Sequence, residues 1–389
     1  MENTFVAGVG MHPFGRFLDK NLKELTQYAV WEAIEDAGIN PNNIEIAYFS
    51  NTLAGALNDQ HSSRGQIFLR HAGFSEIPII NIENACAGGA TAFQQANLAV
   101  ASGQVDVALA IGSEKMFVGD NKKTIAALGS AADVELFAGQ GIQFTALYAF
   151  KALDYMEKYG ATTYHFAKVS EKNSMNASLN PNAQYKTKLS LEDVLNSRMI
   201  ANPLTLYMCS PIADGSAAAI IVNEKTAKQL GKDTVKVKGG ILKSGKATKI
   251  ENTPIVTKAA NQLYTLTGVS PKEIDLVEVH DAAVSIEFDH IEDLGFVEKG
   301  TAFQEIEKGT FNLNGKIPVN TSGGLTSKGH PVGATGIAQI IEITRQLRGE
   351  AQNRQVKSSR DLPKVGLALN TGGRVEEDRS AIAITMLSR

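Results

Sequence analysis

Two segments far apart in the chain repeat one pattern, and this repetition constrains the fold more than any other feature. The stretches "GINPNNIEIAYFSN" (38–51) and "GVSPKEIDLVEVHD" (268–281) match in glycine, proline, acidic and apolar positions. The order strand, turn, small-residue helix and strand then recurs in 81–112 and 318–373. We interpret this as an internal duplication, with chance similarity as the alternative. Two pseudo-twofold-related halves would bring equivalent turns together in the middle of the molecule.

The alternation of strand and helix patterns places the chain in the α/β class. "FVAGVG" (5–10) reads as a strand, and "LKELTQYAVWEAIEDAG" (22–38) has apolar residues at helical spacing and a terminal glycine. Strands that alternate with helices predict a mostly parallel sheet with helices on both faces.

One long segment has no counterpart in the other half of the chain. Residues 115–210 combine helical patterns with polar loops. We therefore predict an N-terminal half at 1–114 that is completed by about 210–230, an insertion at 115–210 and a C-terminal half at 231–389. The insertion would cover one mouth of the sheet, where a substrate-binding lid would sit.

Composition excludes several classes of protein. A net charge of -3 and a pI near 6.2 argue against a nucleic-acid partner. No run approaches the length of apolar sequence that spans a membrane, and "MENTFVAGVGMHPFG" lacks the pattern of a signal peptide. Two cysteines in 389 residues cannot form a disulfide framework, which favours a reducing compartment. We expect a soluble cytoplasmic protein.

Cys86 stands in "NIENACAGGATAF" (81–93), where a strand pattern changes to a helix pattern. A thiol at a helix N-terminus experiences the positive end of the helix dipole, which lowers its pKa and favours the thiolate. The backbone N–H of Cys86 could also donate to an oxyanion. Cys86 is therefore a candidate nucleophile, and a small buried apolar side chain is the alternative.

Two histidines occupy similar strand-end turns. His330, in "SKGHPVGATG" (327–336), is surrounded by glycine and proline and opens a helical pattern, which suits a general base held near a substrate. His280 ends an apolar strand in "EVHDAAV". A glycine pair in "ALNTGGR" (368–374) adds backbone donors after another strand. If the duplication is real, these turns converge, which favours a catalytic role over isolated turn histidines.

Together these motifs resemble those of the thiolases, and more narrowly the sterol-carrier-protein-type and archaeal branch. The resemblance spans essentially the whole chain. It rests on "NACAGGATAF", "SRMIANPLTLYMCSPIADGSAAAIIV", "VEVHDAAV" and "TSGGLTSKGHPVGATG", in that family's order. It implies a thiolase fold of two αβαβα halves with an inserted loop domain, assembled as a homodimer or tetramer.

The resemblance also implies roles for individual residues. Cys86 would be acylated, and His330 would activate it and later deprotonate coenzyme A, which is a co-substrate. His280 would hold the enolate oxygen of the second substrate, within an oxyanion site. The backbone N–H groups of Cys86 and Gly372 would bind the oxyanion of the tetrahedral intermediate. No metal is implied, and no metal-ligand spacing of Cys or His appears.

The chain departs from the thiolase pattern at the second catalytic cysteine. The two places where thiolases carry it read Asn370 and Ala282, neither of which is a general acid or base. The remaining cysteine, Cys209 in "YMCSPIADGSAA", is interpreted as structural. Three explanations stay open: His280 takes over proton transfer, the leaving enolate needs no dedicated acid, or the substrates are unusual.

The resemblance predicts thiolytic cleavage of a 3-ketoacyl-CoA through a cysteinyl acyl-enzyme. The acyl group is expected to be atypical, aromatic or branched, as in benzoylsuccinyl-CoA. The alternatives are a Claisen-condensing synthase, acetoacetyl-CoA thiolase-like or decarboxylating, and a non-catalytic acyl-CoA-binding scaffold. Members of this branch often work with a small zinc-ribbon and OB-fold partner, so a separate partner subunit is a further hypothesis.

A lysine-rich segment is a candidate for contacts with coenzyme A. "GGILKSGKATK" (239–249) carries Lys243, Lys246 and Lys249. In the thiolase fold this region approaches the CoA tail, so these lysines could meet its phosphates. A solvated loop is the alternative.

Overall fold

The computed structural model describes residues 2–245, 253–357, 362–376 and 378–389. These residues form eleven strands, which are β1 (Thr4–Gly15), β2 (Ile46–Ser50), β3 (Ile79–Ile82), β4 (Val107–Glu114), β5 (Met199–Ala201), β6 (Leu204–Thr205), β7 (Asp214–Asn223), β8 (Val235–Ser244), β9 (Leu276–Glu278), β10 (Val365–Gly372) and β11 (Ala381–Ser388). They also form thirteen α-helices, which are α1 (Leu22–Ala37), α2 (Ala54–Asn58), α3 (Arg64–His71), α4 (Gly88–Ala101), α5 (Asn121–Gly129), α6 (Phe144–Tyr159), α7 (Thr163–Ser178), α8 (Leu191–Leu195), α9 (Glu224–Leu230), α10 (Ile255–Thr267), α11 (Val284–Asp293), α12 (Ala302–Glu307) and α13 (Thr335–Arg348).

The repeated sequence pattern produces the same local structure twice. Helix α1 ends at Gly38 and helix α10 ends at Gly268, and both glycines have φ 67°, the left-handed conformation that glycine adopts without strain. A short 3₁₀ turn follows each glycine, at Pro41–Asn43 and at Pro271–Glu273. Each turn leads into a strand, β2 in the first copy and β9 in the second.

The sheet shows the duplication in its strand order. Nine strands form one sheet in the order β3-β2-β4-β7-β1-β8-β11-β10-β9. From the boundary between β1 and β8 outward, each half of the sheet has two antiparallel strand pairs followed by a parallel strand pair. A parallel bridge between Val277 and Val319 stands where the second half would place its counterpart of β3. The predicted internal duplication is therefore confirmed as a pseudo-twofold arrangement.

The sheet is mixed, so the prediction of a mostly parallel sheet was wrong. Strand β11 follows β10 through a short connection, and a short connection can only join antiparallel neighbours. Strand β7 enters antiparallel between β4 and β1 after the long insertion. The α/β class itself is confirmed.

Three apolar layers give the molecule its αβαβα arrangement. Helices α1 and α3 pack on the outer face of the first half of the sheet, around Phe49. Helices α10 and α11 cover the outer face of the second half, around Phe288. Between the halves, α4 and α13 pack against the inner faces of both, around Phe93 and Ile340. The two central helices therefore share one layer in the middle of the molecule.

Small residues let the N-termini of α4 and α13 touch. A Cβ on Gly89 would lie 2.7 Å from the carbonyl oxygen of Gly333, and a Cβ on Gly336 would lie 2.7 Å from Cβ of Ala90. Larger side chains at these glycines would force the helices apart, because real Cβ atoms do not approach so closely. This contact places the turn before α4 beside the turn before α13.

The inserted segment forms helices α5 to α8 and the small β5–β6 sheet. Helix α5 contacts α2 of the first half, whereas α6 and α7 lie against the second half. Helix α6 packs on α11, and Tyr155 of α6 contacts Phe288 with ring centroids 5.5 Å apart. Helix α7 packs on the π-helical turn Gly324–Lys328 that precedes His330. We propose that the boundaries 1–114, 115–210 and 231–389 delimit the two halves and this insertion. In the part of the chain described above, no helix is long and apolar enough to cross a bilayer.

Candidate active site

Cys86 lies in the turn between β3 and α4, two residues before the helix begins. The turn is tight: Ala85 has φ 48°, and Gly88 packs so closely that a Cβ there would be 2.5 Å from Oγ of Ser50. The thiol is half-buried and lines a cavity. The backbone N–H groups of Gly373 and of Cys86 itself point at the sulfur.

His330 is held as a base by one hydroxyl group. Its Nδ1 lies 2.7 Å from Oγ1 of Thr335, and that hydroxyl donates its own proton to the carbonyl oxygen of Pro331 at 3.0 Å. When the hydroxyl gives its proton to Pro331, Nδ1 of His330 carries the proton of their hydrogen bond. The other ring nitrogen, Nε2, then has a free lone pair and can accept a proton.

His280 is held in the opposite tautomer. The amide nitrogen of Asn370 lies 3.2 Å from Nδ1 of His280. With the NH₂ of Asn370 facing the ring, Nδ1 of His280 accepts and Nε2 carries the proton. His280 therefore presents an N–H donor to the site, whereas His330 presents an acceptor.

The three side chains meet at one point. Their ligating atoms, Sγ of Cys86 and a ring nitrogen of each histidine, all lie within 4.8 Å of one another. The two imidazole rings are perpendicular, with centroids 5.0 Å apart and an interplanar angle of 82°. A nucleophile, a base and a hydrogen-bond donor thus surround the space in which a carbonyl group would sit. Three such groups at this spacing could also hold a metal ion.

Burial decides the protonation of the thiol. Burial, together with smaller contributions from the negative charges of Glu114 and Glu83, raises the pKa of Cys86 to about 12. The donated N–H groups of Gly373 and Cys86 lower the pKa by less. The expected thiolate at Cys86 is therefore corrected, because desolvation raises the pKa of the thiol by more than the donated N–H groups lower it. Cys86 is a thiol at neutral pH and needs a base.

Both histidines are neutral at physiological pH. Burial lowers the pKa of His330 to about 3, with a smaller contribution from the charge of Lys328. Burial lowers the pKa of His280 well below its usual range, and the charges of His330, His290 and Arg379 act in the same direction. A neutral imidazole is the form in which His330 can accept a proton and His280 can donate a hydrogen bond.

A buried carboxylate ties the turn after β2 to the turn that carries His330, and sequence reasoning missed it. Glu114, at the end of β4, accepts the N–H groups of Thr52, Leu53 and Gly333 at 3.0–3.1 Å. Burial raises its pKa to about 7 despite these donors. Because Gly333 follows His330 closely, Glu114 positions the loop of the base. Its location at a strand end was the only sequence signal.

A second buried acid holds the turn that carries His280. Asp281 accepts the N–H of Leu325 at 2.7 Å and the amide of Asn173 at 2.9 Å. Burial and the charge of Glu287 raise the pKa of Asp281 to about 8. These contacts join the end of β9, helix α7 and the π-helical turn, so the insertion supports the position of His280.

The cavity in front of Cys86 has a volume of about 330 Å³. Its apolar wall comes largely from the insertion and includes Phe144, Leu147, Tyr148, Leu206, Ile212 and Ile286. Cationic side chains also line it, namely Arg16, Lys151, Arg198, Arg374 and Arg379. This combination suits an apolar chain attached to a group with several negative charges.

The structure brings most of the predicted site residues together. The lining includes Cys86, His280, His330 and Gly372, and the N–H that faces the sulfur belongs to the next residue, Gly373. Lys243 lies on β8 opposite Ile382 and is absent from the lining. Lys246 and Lys249 lie outside the described residues. Ala282, which stands at one of the two places where thiolases carry the second cysteine, lines the cavity. Cys209 also lines it, and burial raises the pKa of Cys209 to about 12.

Comparisons with known proteins agree with the geometry of the site. The model of the thiolase N-terminal domain matches residues 4–225, and that of the thiolase C-terminal domain matches residues 246–385. An acetyl-CoA acetyltransferase of Methanothermobacter thermautotrophicus is 40% identical over 96% of this chain and 97% of that protein. The benzoylsuccinyl-CoA thiolase subunit BbsB of Thauera aromatica is 35% identical over 96% of this chain and 95% of that protein.

A solved structure shows the same fold over the full length. The Ltp2-ChsH2(DUF35) aldolase superposes with a TM-score of 0.83 at 24% identity, covering 100% of this chain and 98% of that chain. The two family models together cover both halves of the sheet and the insertion between them. This chain therefore belongs to the thiolase family.

Proposed function

We propose that this acyl-CoA C-acyltransferase of the thiolase type cleaves a 3-oxoacyl-CoA with coenzyme A through an acyl group carried on Cys86. One observation carries the proposal: the thiol and two neutral histidines in opposite tautomers lie within 4.8 Å of one another. Acyl transfer needs a nucleophile, a base and an oxyanion donor in this arrangement.

In the first step Nε2 of His330 takes the proton of Cys86 while the sulfur attacks the keto carbon. The N–H of Cys86 and an N–H of the Gly372–Gly373 pair bind the resulting oxyanion, each worth about 3 kcal/mol in the transition state. The bond between the keto carbon and the α-carbon then breaks. Its electron pair leaves with the shorter acyl-CoA as an enolate, whose oxygen accepts the N–H of His280.

The proton that His330 has taken can return to the α-carbon of the enolate. An imidazolium whose pKa is about 3 is a strong acid, so it can replace the missing second cysteine. His280 is less suited to this step, because giving up its single N–H would leave an imidazolate. Neutral His330 then deprotonates coenzyme A, whose thiolate attacks the acyl group and releases Cys86. Each step balances protons without a metal ion, which supports a metal-free reaction.

We assign coenzyme A to the cationic mouth of the cavity. Arg16, Lys151 and Arg198 line it together with apolar residues of the insertion, and the phosphates of coenzyme A need such cations. Of the candidates from sequence, Lys243 is weaker because it does not border the cavity. Lys246 and Lys249 lie outside the described residues and stay candidates.

The proposed acyl group is larger than acetyl, either aromatic or branched. A volume of about 330 Å³ and a wall with Phe144, Tyr148 and Ile286 support this choice, as does the relative named for benzoylsuccinyl-CoA. Condensation of two acetyl-CoA molecules is the second candidate, and the relative with 40% identity favours it. A decarboxylating synthase would instead release CO₂ from malonyl-CoA.

We further propose that the chain works with other subunits. Apolar side chains of the insertion are exposed, including Phe150 at 65%, Met199 at 53% and Leu136 at 52%, and such surfaces favour association. The relative BbsB is a subunit, and the solved aldolase contains a DUF35 component, which supports a separate zinc-ribbon and OB-fold partner.

The edge strand β3, with Ile80 41% exposed, supports pairing of two copies. Two unpaired thiols support a cytoplasmic location.

The deciding experiment is intact-mass measurement after mixing the protein with a panel of 3-oxoacyl-CoA thioesters of different size and branching. We expect an acyl adduct that is absent in the Cys86→Ser variant, with a mass that identifies the acyl group. Absence of an adduct with every thioester, with and without a zinc-ribbon partner, would contradict the proposal and leave an acyl-CoA-binding scaffold.

A further inference from the structure

Half-buried Arg379 lacks the carboxylate partner that fully buried cations of the described residues have. Lys115, Lys172, Arg348 and Arg354 each pair with a carboxylate at 2.7–2.9 Å. Over the described ranges, the guanidinium of Arg379 has no hydrogen bond and no carboxylate at ion-pair distance. Its backbone N–H donates to the carboxylate of Asp378 at 2.8 Å. This arginine is therefore available to a ligand.

The position of Arg379 places its charge beside the reacting atoms. It directly precedes β11 and lines the same cavity as Cys86 and His280. Its charge lowers the pKa of His280, and it also lowers the high pKa of Tyr148, the phenol in the apolar wall. The reactive groups that line the same cavity are neutral: a thiol, two imidazoles and a phenol. An unpaired cation among neutral groups is costly unless a substrate brings an anion.

The nearest acids do not satisfy this arginine. Asp293 is close enough for Arg379 to lower its pKa, but it pairs with Lys299 at 3.1 Å instead. Asp378 also borders the cavity, and its carboxylate is engaged by the backbone of Arg379. The phosphates of coenzyme A have three other cations at the cavity mouth, as proposed above.

We propose that Arg379 binds a second carboxylate on the acyl chain, so that 3-oxoacyl-CoA thioesters of dicarboxylic acids are the preferred substrates. The inference rests on the proposed thiolase function and names its substrate class. A carboxylate can accept two parallel N–H groups from the guanidinium, which fixes the acyl chain in the cavity and adds specificity. The apolar side chains that line the same cavity, among them Tyr148, keep this pair in a poorly screened environment.

The test compares two matched pairs of substrates on four proteins. The substrates are 3-oxoadipyl-CoA and its methyl ester, together with a 3-oxoacyl-CoA that carries a carboxymethyl branch at C2 and the corresponding ester. The proteins are the unaltered chain, Arg379→Gln, Arg379→Lys and the control Arg70→Gln on the exposed surface of α3. The thermal transition of each variant shows that it is folded.

We expect kcat/KM for at least one carboxylate substrate to fall by about 10- to 100-fold in Arg379→Gln. The ester should change by less than about threefold, Arg379→Lys should recover part of the loss, and Arg70→Gln should match the unaltered chain. The corresponding thioesters of pantetheine, which lack the nucleotide phosphates, should show the same selective loss.

Three outcomes would overturn the inference. An equal loss of kcat/KM for acid and ester in Arg379→Gln means that Arg379 does not bind the acyl carboxylate. A loss that disappears with pantetheine thioesters means that Arg379 binds the phosphates of coenzyme A. A higher kcat/KM of the unaltered chain for the esters than for the acids means that the substrate does not need a carboxylate to pair with Arg379. In each case the Cys86 adduct still forms, whereas failure of the proposed function would abolish the adduct with every substrate.

Discussion

Replacing Thr335 with valine should remove the group that fixes the tautomer of His330. Valine has nearly the shape of threonine, but it cannot accept the Nδ1–H that now lies 2.7 Å from the hydroxyl. Thr335 is fully buried, so the ring would keep an unpaired buried donor, which costs about 1–3 kcal/mol. The ring then favours the other tautomer, whose Nε2 cannot accept the proton of Cys86.

At about 1.4 kcal/mol for each factor of ten, this cost corresponds to a loss of roughly 5- to 150-fold in the rate of acylation. The assay is single-turnover acylation of Cys86, followed by rapid quenching and mass measurement, with KM expected to change little. Thr335→Ser keeps the hydroxyl and should keep most of the rate. Thr344→Val is the matched control, because Thr344 is buried in the same helix and its hydroxyl has no partner in the described part of the chain. Equal rates for Thr335→Val and Thr344→Val would refute the reasoning.

Three further predictions follow from the same contacts. Because the pKa of Cys86 is about 12, its thiolate fraction should rise about tenfold per pH unit. Alkylation of this residue by iodoacetamide should therefore accelerate without a plateau from about pH 6 to about pH 9. A plateau near neutral pH would reveal a preformed thiolate. Asn370→Asp should make Nδ1 of His280 a donor and cost about 100-fold in kcat, whereas an unchanged kcat would exclude the oxyanion role of His280. Gly336→Ala should destabilise the protein by about 1–3 kcal/mol in urea unfolding, since the new Cβ would lie 2.7 Å from Cβ of Ala90; an unchanged midpoint would show that α4 and α13 can separate.

The residues that could be predicted from sequence lie either in the two matching segments or at the ends of strands. The matching segments at 38–51 and 268–281 predicted the pseudo-twofold arrangement, which the strand order of the sheet confirms. The turns of Cys86 and His330 lie at equivalent points of the two halves, so their convergence followed from the duplication. The thiolase resemblance drawn from the same motifs is confirmed by both family models.

The features that sequence did not reveal depend on packing between distant segments. Asn370 is 90 positions from His280, and Glu114 is 219 positions from Gly333, so neither contact leaves a local pattern. The pKa of Cys86 depends on how completely the insertion and the second half exclude water. A helix terminus predicts a dipole from local sequence, but it does not predict burial.

The measurement that most directly tests the account is the ¹⁵N NMR spectrum of histidine-labelled protein, with signals assigned through His280→Gln and His330→Gln. The account predicts that both rings stay neutral from about pH 5 to about pH 9, with the proton on Nδ1 of His330 and on Nε2 of His280. A protonated ring at neutral pH, or the same tautomer in both rings, would contradict the roles of base and donor.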